Sequence, residues 1–193
     1  MSIEHASVRV MHKPWGVSNL QPWSGVDGTG DAVGELWFER ADSNAPTPAL
    51  LLKLLFTSAP LSIHGHPDDT FARAMGMPNG KSEAWYIISA EPDAQIGVGL
   101  NRRITPQELH TAITNGSIVD LVQWRPVAKG DVVFIPAGTI HAIGGDSAEL
   151  GGGARGRIAC TGAPGICELH RRLVHHLQAQ RSLHLVIAAC APS

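Results

Sequence analysis

The sequence predicts a mostly β protein, a β-sandwich or barrel with one or two short helices. Apolar segments of strand length alternate with short turns rich in glycine and proline, and helical patterns are few. Strands and helices do not alternate regularly, which argues against a parallel α/β sheet. With 193 residues, the chain suits a single domain, or one domain with an appendage.

Strands are predicted from short apolar runs, and turns from glycine and proline. Extended segments are predicted in four places before residue 90, at 13–16 (KPWG), 34–38 (GELWF), 50–57 (LLLKLLFT) and 84–89 (AWYIIS). The pair Asn79-Gly80 just before the fourth segment is a strong turn signal.

Two helices are predicted from capping signals. Asp68 and Asp69 can cap a short helix that continues to Met75. Residues 105–108 (TPQE) have the capping-box pattern, with proline at the first helical position. A helix is therefore predicted over 105–114.

A strand–turn–strand segment is the most informative local pattern in the chain. Val132–Ile135 and Thr139–Ile143 are apolar, and a tight turn containing Pro136 and Gly138 separates them. This pattern predicts a β-hairpin. Because a tight turn fixes where the following side chain points, it also predicts a firmly positioned imidazole at His141.

Composition excludes several classes of function. The net charge is −2, so the basic surface typical of nucleic-acid binding is not expected. No apolar run approaches the ~20 residues that a membrane-spanning helix needs, and residues 1–13 show no secretory signal. Cys160, Cys167 and Cys190 fit neither a CxxC site nor a disulfide framework and are expected to be free thiols. We expect a cytoplasmic protein that binds neither nucleic acid nor membranes.

Three histidines and a glutamate are candidate metal ligands. If the segment around Ser62 is extended, then Ser62, His64 and His66 share one face, because side chains alternate along a strand. Two histidines at this spacing can chelate one metal ion, while Glu83 supplies an oxygen and His141 a further nitrogen. Such a donor set suits Zn²⁺, and also Fe²⁺, Mn²⁺, Co²⁺ or Ni²⁺.

Each of these residues also has a simpler interpretation. A His-x-His pair on a strand is often a surface pair. Taken alone, Glu83 and Lys81 would be ordinary solvated charges, and Trp15 would be a core residue. The metal site is therefore predicted only on the condition that its residues converge in space.

Longer stretches of the chain resemble a known family. The spacing of Gly130, Pro136, Gly138 and His141 resembles the second cupin motif. Five blocks recur in order and are similar to type I mannose-6-phosphate isomerase (phosphomannose isomerase), particularly its short bacterial form. They are KPWG (13–16), GELWF (34–38), LLKLLFTSAPLSIHGHPDD (51–69), NGKSEAWYI (79–87) and GDVVFIPAGTIHAIG (130–144).

The resemblance implies a cupin fold, which is a jelly-roll β-sandwich, with one bound Zn²⁺. It implies a sugar-phosphate substrate, with mannose 6-phosphate and fructose 6-phosphate interconverted through a cis-enediol. It implies that Lys81 is catalytic and binds substrate, and that Ser62 binds substrate. The oligomeric state is not implied. The metal ligands that it implies are His64, His66, Glu83 and His141.

Two departures from the family pattern are visible. His64 stands where the family has glutamine, and a histidine donor shifts metal preference. After Gly144, the family's Glu/Gln-rich strand and its aromatic segment with a catalytic arginine are not recognisable. The chain therefore divides into a cupin core at 1–144 and an atypical C-terminal segment at 145–193. That segment either completes the barrel, through a strand predicted at 183–189, or is poorly ordered.

The unmatched C-terminal segment leaves other interpretations open. One is a catalytically impaired cupin module that binds a metal and a sugar phosphate. Another is a metal-dependent cupin dioxygenase, since three histidines and a glutamate occur in such sites. The abrupt change in composition after Gly144 is also what a shifted reading frame, or rapid divergence after loss of selection, would produce.

Overall fold

Short antiparallel strands make up most of the described chain. The computed structural model describes residues 4–26, 30–45 and 50–144, together with the backbone of 156–160. The strands are β1 (Ala6–Val17), β2 (Val33–Arg40), β3 (Leu52–Leu55), β4 (His64–Gly65), β5 (Glu83–Ala90), β6 (Gln95–Leu100), β7 (Val122–Pro126), β8 (Val132–Ile135), β9 (Ile140–Ile143) and β10 (Gly156–Cys160). The helices are α1 (Asp69–Ala74), α2 (Pro106–Asn115) and α3 (Ile118–Leu121).

The described strands form three antiparallel sheets. The first has the order β1-β2-β3, the second β10-β5-β8 and the third β4-β9-β6-β7. The backbone of β10 also lies beside β3, so the first two sheets are neighbours. This architecture confirms the predicted mostly β fold with few short helices.

The main apolar core is built from all three sheets. Leu55 of β3, Trp85 and Ile87 of β5, and Ile96 of β6 are buried together in one cluster, with Ile135 of β8. Burying a side chain of this size contributes about 1.5–3 kcal/mol to folding. Every second residue is buried along β3 and β8, as expected of strands with one face on the core.

Both predicted helices are confirmed, together with their caps. Asp68 is the N-cap of α1 and accepts a hydrogen bond of 2.8 Å from the backbone N–H of Phe71. Thr105 and Glu108 form the predicted capping box of α2, and Gly116 ends that helix in the left-handed conformation. Among the described residues, none of the helices has the length and hydrophobicity of a membrane span.

The predicted hairpin is wrong, although both of its strands exist. β8 pairs with β5, whereas β9 pairs with β4 and β6. The turn between them is closed by a hydrogen bond of 3.1 Å from the N–H of Thr139 to the carbonyl of Pro136, with Gly138 at a φ of +85°. It therefore carries the chain from one sheet to another. Apolar runs predict strands but not their partners, because β5, the partner of β8, lies about 50 residues away in sequence.

The predicted turn at Asn79-Gly80 is also wrong. Gly80 does not have the positive φ of a hairpin turn. A Cβ atom there would lie 2.6 Å from the backbone of Asp68, so glycine is needed because two backbones approach closely. The N–H groups of Gly80 and Lys81 bond to Asp69 and Pro67, respectively. This contact ties the segment before β5 to the segment that follows β4.

Three expectations concern parts of the chain that the structure does not describe. They are the strand at 183–189, the state of the cysteine side chains, and the order of 145–193 apart from the backbone of 156–160. The sequence did not predict β10, which pairs with β5 between Gly156 and Cys160.

Candidate metal centre

Two adjacent strands place a pair of histidines directly opposite each other. His64 on β4 is the direct register partner of His141 on β9. Directly opposed residues on antiparallel strands project to the same side, and the two ring centroids are 4.4 Å apart. The ring of His66 lies 5.2 Å from each of the other two. Ligand nitrogens of the three residues all lie within 4.8 Å of one another, so the group could hold a metal ion.

Backbone carbonyls orient two of these rings. The Nδ1 atom of His64 donates to the carbonyl of Ser62 at 2.8 Å, and that of His141 donates to the carbonyl of Thr139 at 2.9 Å. A carbonyl only accepts, so in the neutral ring the proton is on Nδ1 and the lone pair is on Nε2. Metal-binding histidines are commonly oriented in this way by a partner on their other nitrogen.

The Nε2 atom of His141 supplies a test of whether the residues fit a metal. His141 is 1% exposed. Its Nε2 has no hydrogen-bond partner within the described part of the chain. An unsatisfied buried polar atom costs about 1–3 kcal/mol. A metal ion bound to this nitrogen would remove that cost, so the histidine group fits a metal.

A buried ion pair flanks the histidine group. Lys81 pairs with the Oε1 atom of Glu83, and both side chains are largely buried. The Nζ atom of Lys81 also lies 2.8 Å from Nε2 of His66. Because an ammonium group only donates, this nitrogen accepts. Glu83 Oε1 lies 3.1 Å from the same nitrogen, while its Oε2 accepts a hydrogen bond of 2.9 Å from the indole of Trp85.

Burial keeps the histidines in the form that binds metals. Desolvation lowers the pKa of His64 to about 3, and the pKa values of His66 and His141 to about 4. These rings are therefore neutral at pH 7, with lone pairs available to a metal. Burial acts to raise the pKa of Glu83, but the ammonium of Lys81 beside the carboxylate holds that pKa well below its ordinary value. The carboxylate is consequently ionised.

We expect the metal-free protein to lose stability as the pH falls below about 6.5, the ordinary pKa of histidine. Because the folded-state pKa values are lowered, the unfolded chain takes up protons first. Each buried histidine then lowers the free energy of unfolding by up to about 1.4 kcal/mol per pH unit, from about pH 6.5 down to its folded pKa. Urea unfolding in EDTA, measured from pH 7.5 to 5, tests this expectation.

A variant with the exposed His5 replaced by alanine is the matched control for this titration. It should show the same slope as the wild type, because His5 is exposed and lies outside the histidine group. A wild-type stability that stays constant between pH 7 and 5 would contradict the neutral buried state of the three histidines.

The structure brings most of the predicted site residues together. His64, His66 and His141 converge, and Lys81 lies against His66. Glu83 also contacts His66 but is not part of the group of mutually close ligand atoms.

The predicted extended segment around Ser62 is shorter than expected, since β4 covers only His64–Gly65. Ser62 itself is exposed, and its backbone carbonyl is the group that contacts His64.

Sequence reasoning missed two residues that orient the site. Thr139 acts through its backbone carbonyl, which leaves no signature in the residue type. Trp85 did have a signal, because the Glu-x-Trp spacing on a strand places Glu83 and Trp85 on one face.

Comparison with curated proteins finds relatives that are mannose-6-phosphate isomerases. The chain is 41% identical over 96 residues to ManA of Bacillus subtilis, which covers 49% of this chain and 30% of that protein. It is 30% identical over 165 residues to the mannose-6-phosphate isomerase of Streptococcus mutans, covering 69% of this chain and 52% of that protein. The chain therefore spans about half, or less, of the length of these relatives. No protein-family model matches it.

Solved structures of the same kind of enzyme share the fold. The crystal structure of the Bacillus subtilis mannose 6-phosphate isomerase matches 82% of this chain and 58% of that chain, with a TM-score of 0.66 and 26% identity. A mannose 6-phosphate isomerase bound with zinc and yttrium matches with a TM-score of 0.55 and 13% identity, over 84% of this chain and 68% of that chain. The second likeness concerns the fold alone. Together they confirm a cupin-type β fold.

Proposed function

We propose that this chain, which resembles the mannose-6-phosphate isomerases in sequence and in fold, is a metal-dependent aldose–ketose isomerase that interconverts mannose 6-phosphate and fructose 6-phosphate. The observation that carries the proposal is the convergence of His64, His66 and His141 in a chain with such relatives. The proposed substrate is therefore a sugar phosphate. The same relatives favour an isomerase over a binding module or a dioxygenase.

The proposed metal is Zn²⁺, held by the three histidines and Glu83. Imidazole nitrogens and a carboxylate oxygen are ordinary zinc ligands, and one structural relative is described as bound with zinc. The Nε2 atom of His141 has no hydrogen-bond partner among the described residues, which supports a metal at this position. Because Lys81 donates to Nε2 of His66, coordination through that nitrogen requires the ammonium group to move aside.

The residues around the histidine group suit a proton transfer between adjacent sugar carbons. The chemistry that a divalent cation supplies when bound there is Lewis-acid polarisation of the sugar's carbonyl and hydroxyl oxygens. Lys81 is the proposed catalytic residue, because its ammonium lies beside the histidine group, 2.8 Å from Nε2 of His66. It would hold an oxygen of the substrate or of the cis-enediol and assist proton transfer. The exposed Ser62 would help to position the substrate.

Residues 1–144 are proposed as the cupin core that carries the site, and 145–193 as a separate C-terminal segment. Every proposed site residue lies in the first of these ranges. The cytoplasmic location stays a prediction from the sequence.

Isomerase turnover by the zinc-loaded full chain tests the proposed function. Mannose 6-phosphate is supplied, and fructose 6-phosphate is measured directly by chromatography so that no coupling enzyme introduces its own metal requirement. We expect product formation that stops after treatment with a chelator and returns with zinc. Stoichiometric zinc without turnover would contradict the isomerase and would support a binding module instead. Oxygen uptake with a sugar phosphate would indicate a dioxygenase.

A further inference from the structure

We propose that Trp85 is a positioning residue of the metal centre, which fixes the Glu83 carboxylate through its indole N–H and restrains the His141 ring by an edge-to-face ring contact. This inference rests on the proposed function, because it takes Glu83 and His141 as ligands. No contact between Trp85 and a substrate is needed for this role.

The indole N–H decides which oxygen of Glu83 faces the histidines. Nε1 of Trp85 donates to Oε2 of Glu83 at 2.9 Å, and both residues are almost fully buried. The other oxygen, Oε1, faces Lys81 and lies 3.1 Å from Nε2 of His66. Since an indole N–H only donates, this bond needs a carboxylate lone pair and holds Oε2 in one direction. Oε1 is left as the oxygen nearest to the histidine group.

The same side chain restrains a second ligand. The rings of Trp85 and His141 meet edge to face, with centroids 5.6 Å apart and an interplanar angle of 79°. Trp85 is itself packed in the main apolar core. Together with the hydrogen bond from Nδ1 to the carbonyl of Thr139, this packing limits rotation of the His141 ring. One rigid residue therefore supports two ligands that come from different strands, and replacing such supporting partners typically weakens metal binding 10- to 100-fold.

A second buried group of the same residue types, a tryptophan, a glutamate and a lysine, lies outside the histidine group. On β2, the indole of Trp37 donates to Oε2 of Glu35 at 2.5 Å, and Lys53 lies 3.2 Å from the same oxygen. These three residues are buried, as are Trp85 and Glu83. The indole–carboxylate hydrogen bond is shared with Trp85 and Glu83, although Lys53 contacts the oxygen that accepts this bond whereas Lys81 contacts the other oxygen. None of the three residues belongs to the histidine group. Trp37→Phe is therefore the control for the loss of a buried indole–carboxylate hydrogen bond.

The test compares zinc affinity in the full-length wild type, Trp85→Phe and Trp37→Phe, measured by competition with a chromophoric chelator. We expect Trp85→Phe to weaken zinc binding about 10- to 100-fold, and Trp37→Phe to change it less than about twofold. Equal affinities in wild type and Trp85→Phe, or equal losses in both variants, would overturn the inference while leaving the proposed function intact. A wild type that binds no zinc would overturn the proposed function, and this inference with it.

A measurement on the wild type covers the case in which Trp85→Phe does not fold. The indole N–H resonances are followed by ¹⁵N NMR while zinc is added. The resonance of Trp85 should shift as its acceptor Glu83 binds the metal, whereas that of Trp37 should stay in place. An unchanged Trp85 resonance at saturating zinc would overturn the inference.

Discussion

Replacing His141 with alanine should abolish stoichiometric zinc binding and lower mannose 6-phosphate turnover on the order of a hundredfold or more. His141 lies on β9, directly opposite His64, and its buried Nε2 has no partner in the described chain. Loss of a metal forfeits several kcal/mol of transition-state stabilisation, and each 1.36 kcal/mol is about tenfold in rate. Zinc is measured by elemental analysis after dialysis, and turnover by direct detection of fructose 6-phosphate.

The control for this variant is His5→Ala, which removes an exposed histidine that is not a proposed ligand and lies far from the ligands in sequence. It should keep wild-type zinc content and turnover. Circular dichroism of both variants checks that the fold is kept. Unchanged zinc and turnover in His141→Ala would show that the metal centre has been assigned to the wrong residues.

Replacing Glu83 with alanine should destabilise the metal-free protein by about 3–5 kcal/mol, because it leaves the buried ammonium of Lys81 without its carboxylate. The side chains of Lys81 and Glu83 are 9% and 4% exposed, so water cannot readily replace the lost partner. The indole N–H of Trp85 also loses its acceptor. Urea unfolding in EDTA at pH 7.5 measures this effect separately from metal binding.

Two further variants test whether the loss of stability in Glu83→Ala comes from the broken ion pair with Lys81. Glu39→Ala breaks an exposed ion pair with Arg9, in which the charged atoms are 3.7 Å apart, and should cost about 1 kcal/mol or less. Replacing both members of the buried pair, as Lys81→Met with Glu83→Leu, should recover part of the stability lost in Glu83→Ala. If Glu83→Ala lowered the free energy of unfolding no more than Glu39→Ala does, the buried ammonium of Lys81 would not depend on Glu83 as its partner.

Local features of the fold were predictable because local residues determine them. Asp68 and Thr105 cap helices through contacts with residues three positions along the chain, so the signal lies within one turn. Short apolar runs similarly indicated β5 and β8. Their pairing was not predictable, because the turn at Gly138 is compatible both with a hairpin and with a crossing between sheets.

The parts of the candidate site that are formed by side chains were predictable from the sequence. His64 and His66 were recognisable from their spacing, and His141 from the turn before it. The carbonyls of Ser62 and Thr139 were not, since any residue supplies a carbonyl. Burial was not predictable either, and burial is what makes the rings neutral ligands instead of a surface cluster.

Bound zinc and mannose 6-phosphate turnover, measured on the same preparation of the full chain, most directly test whether the histidine group is the metal centre of an isomerase. We predict about one zinc per chain, turnover that disappears when zinc is removed, and recovery in proportion to the zinc restored. Turnover that persists in the zinc-free chain, or one bound zinc with no turnover, would contradict this function.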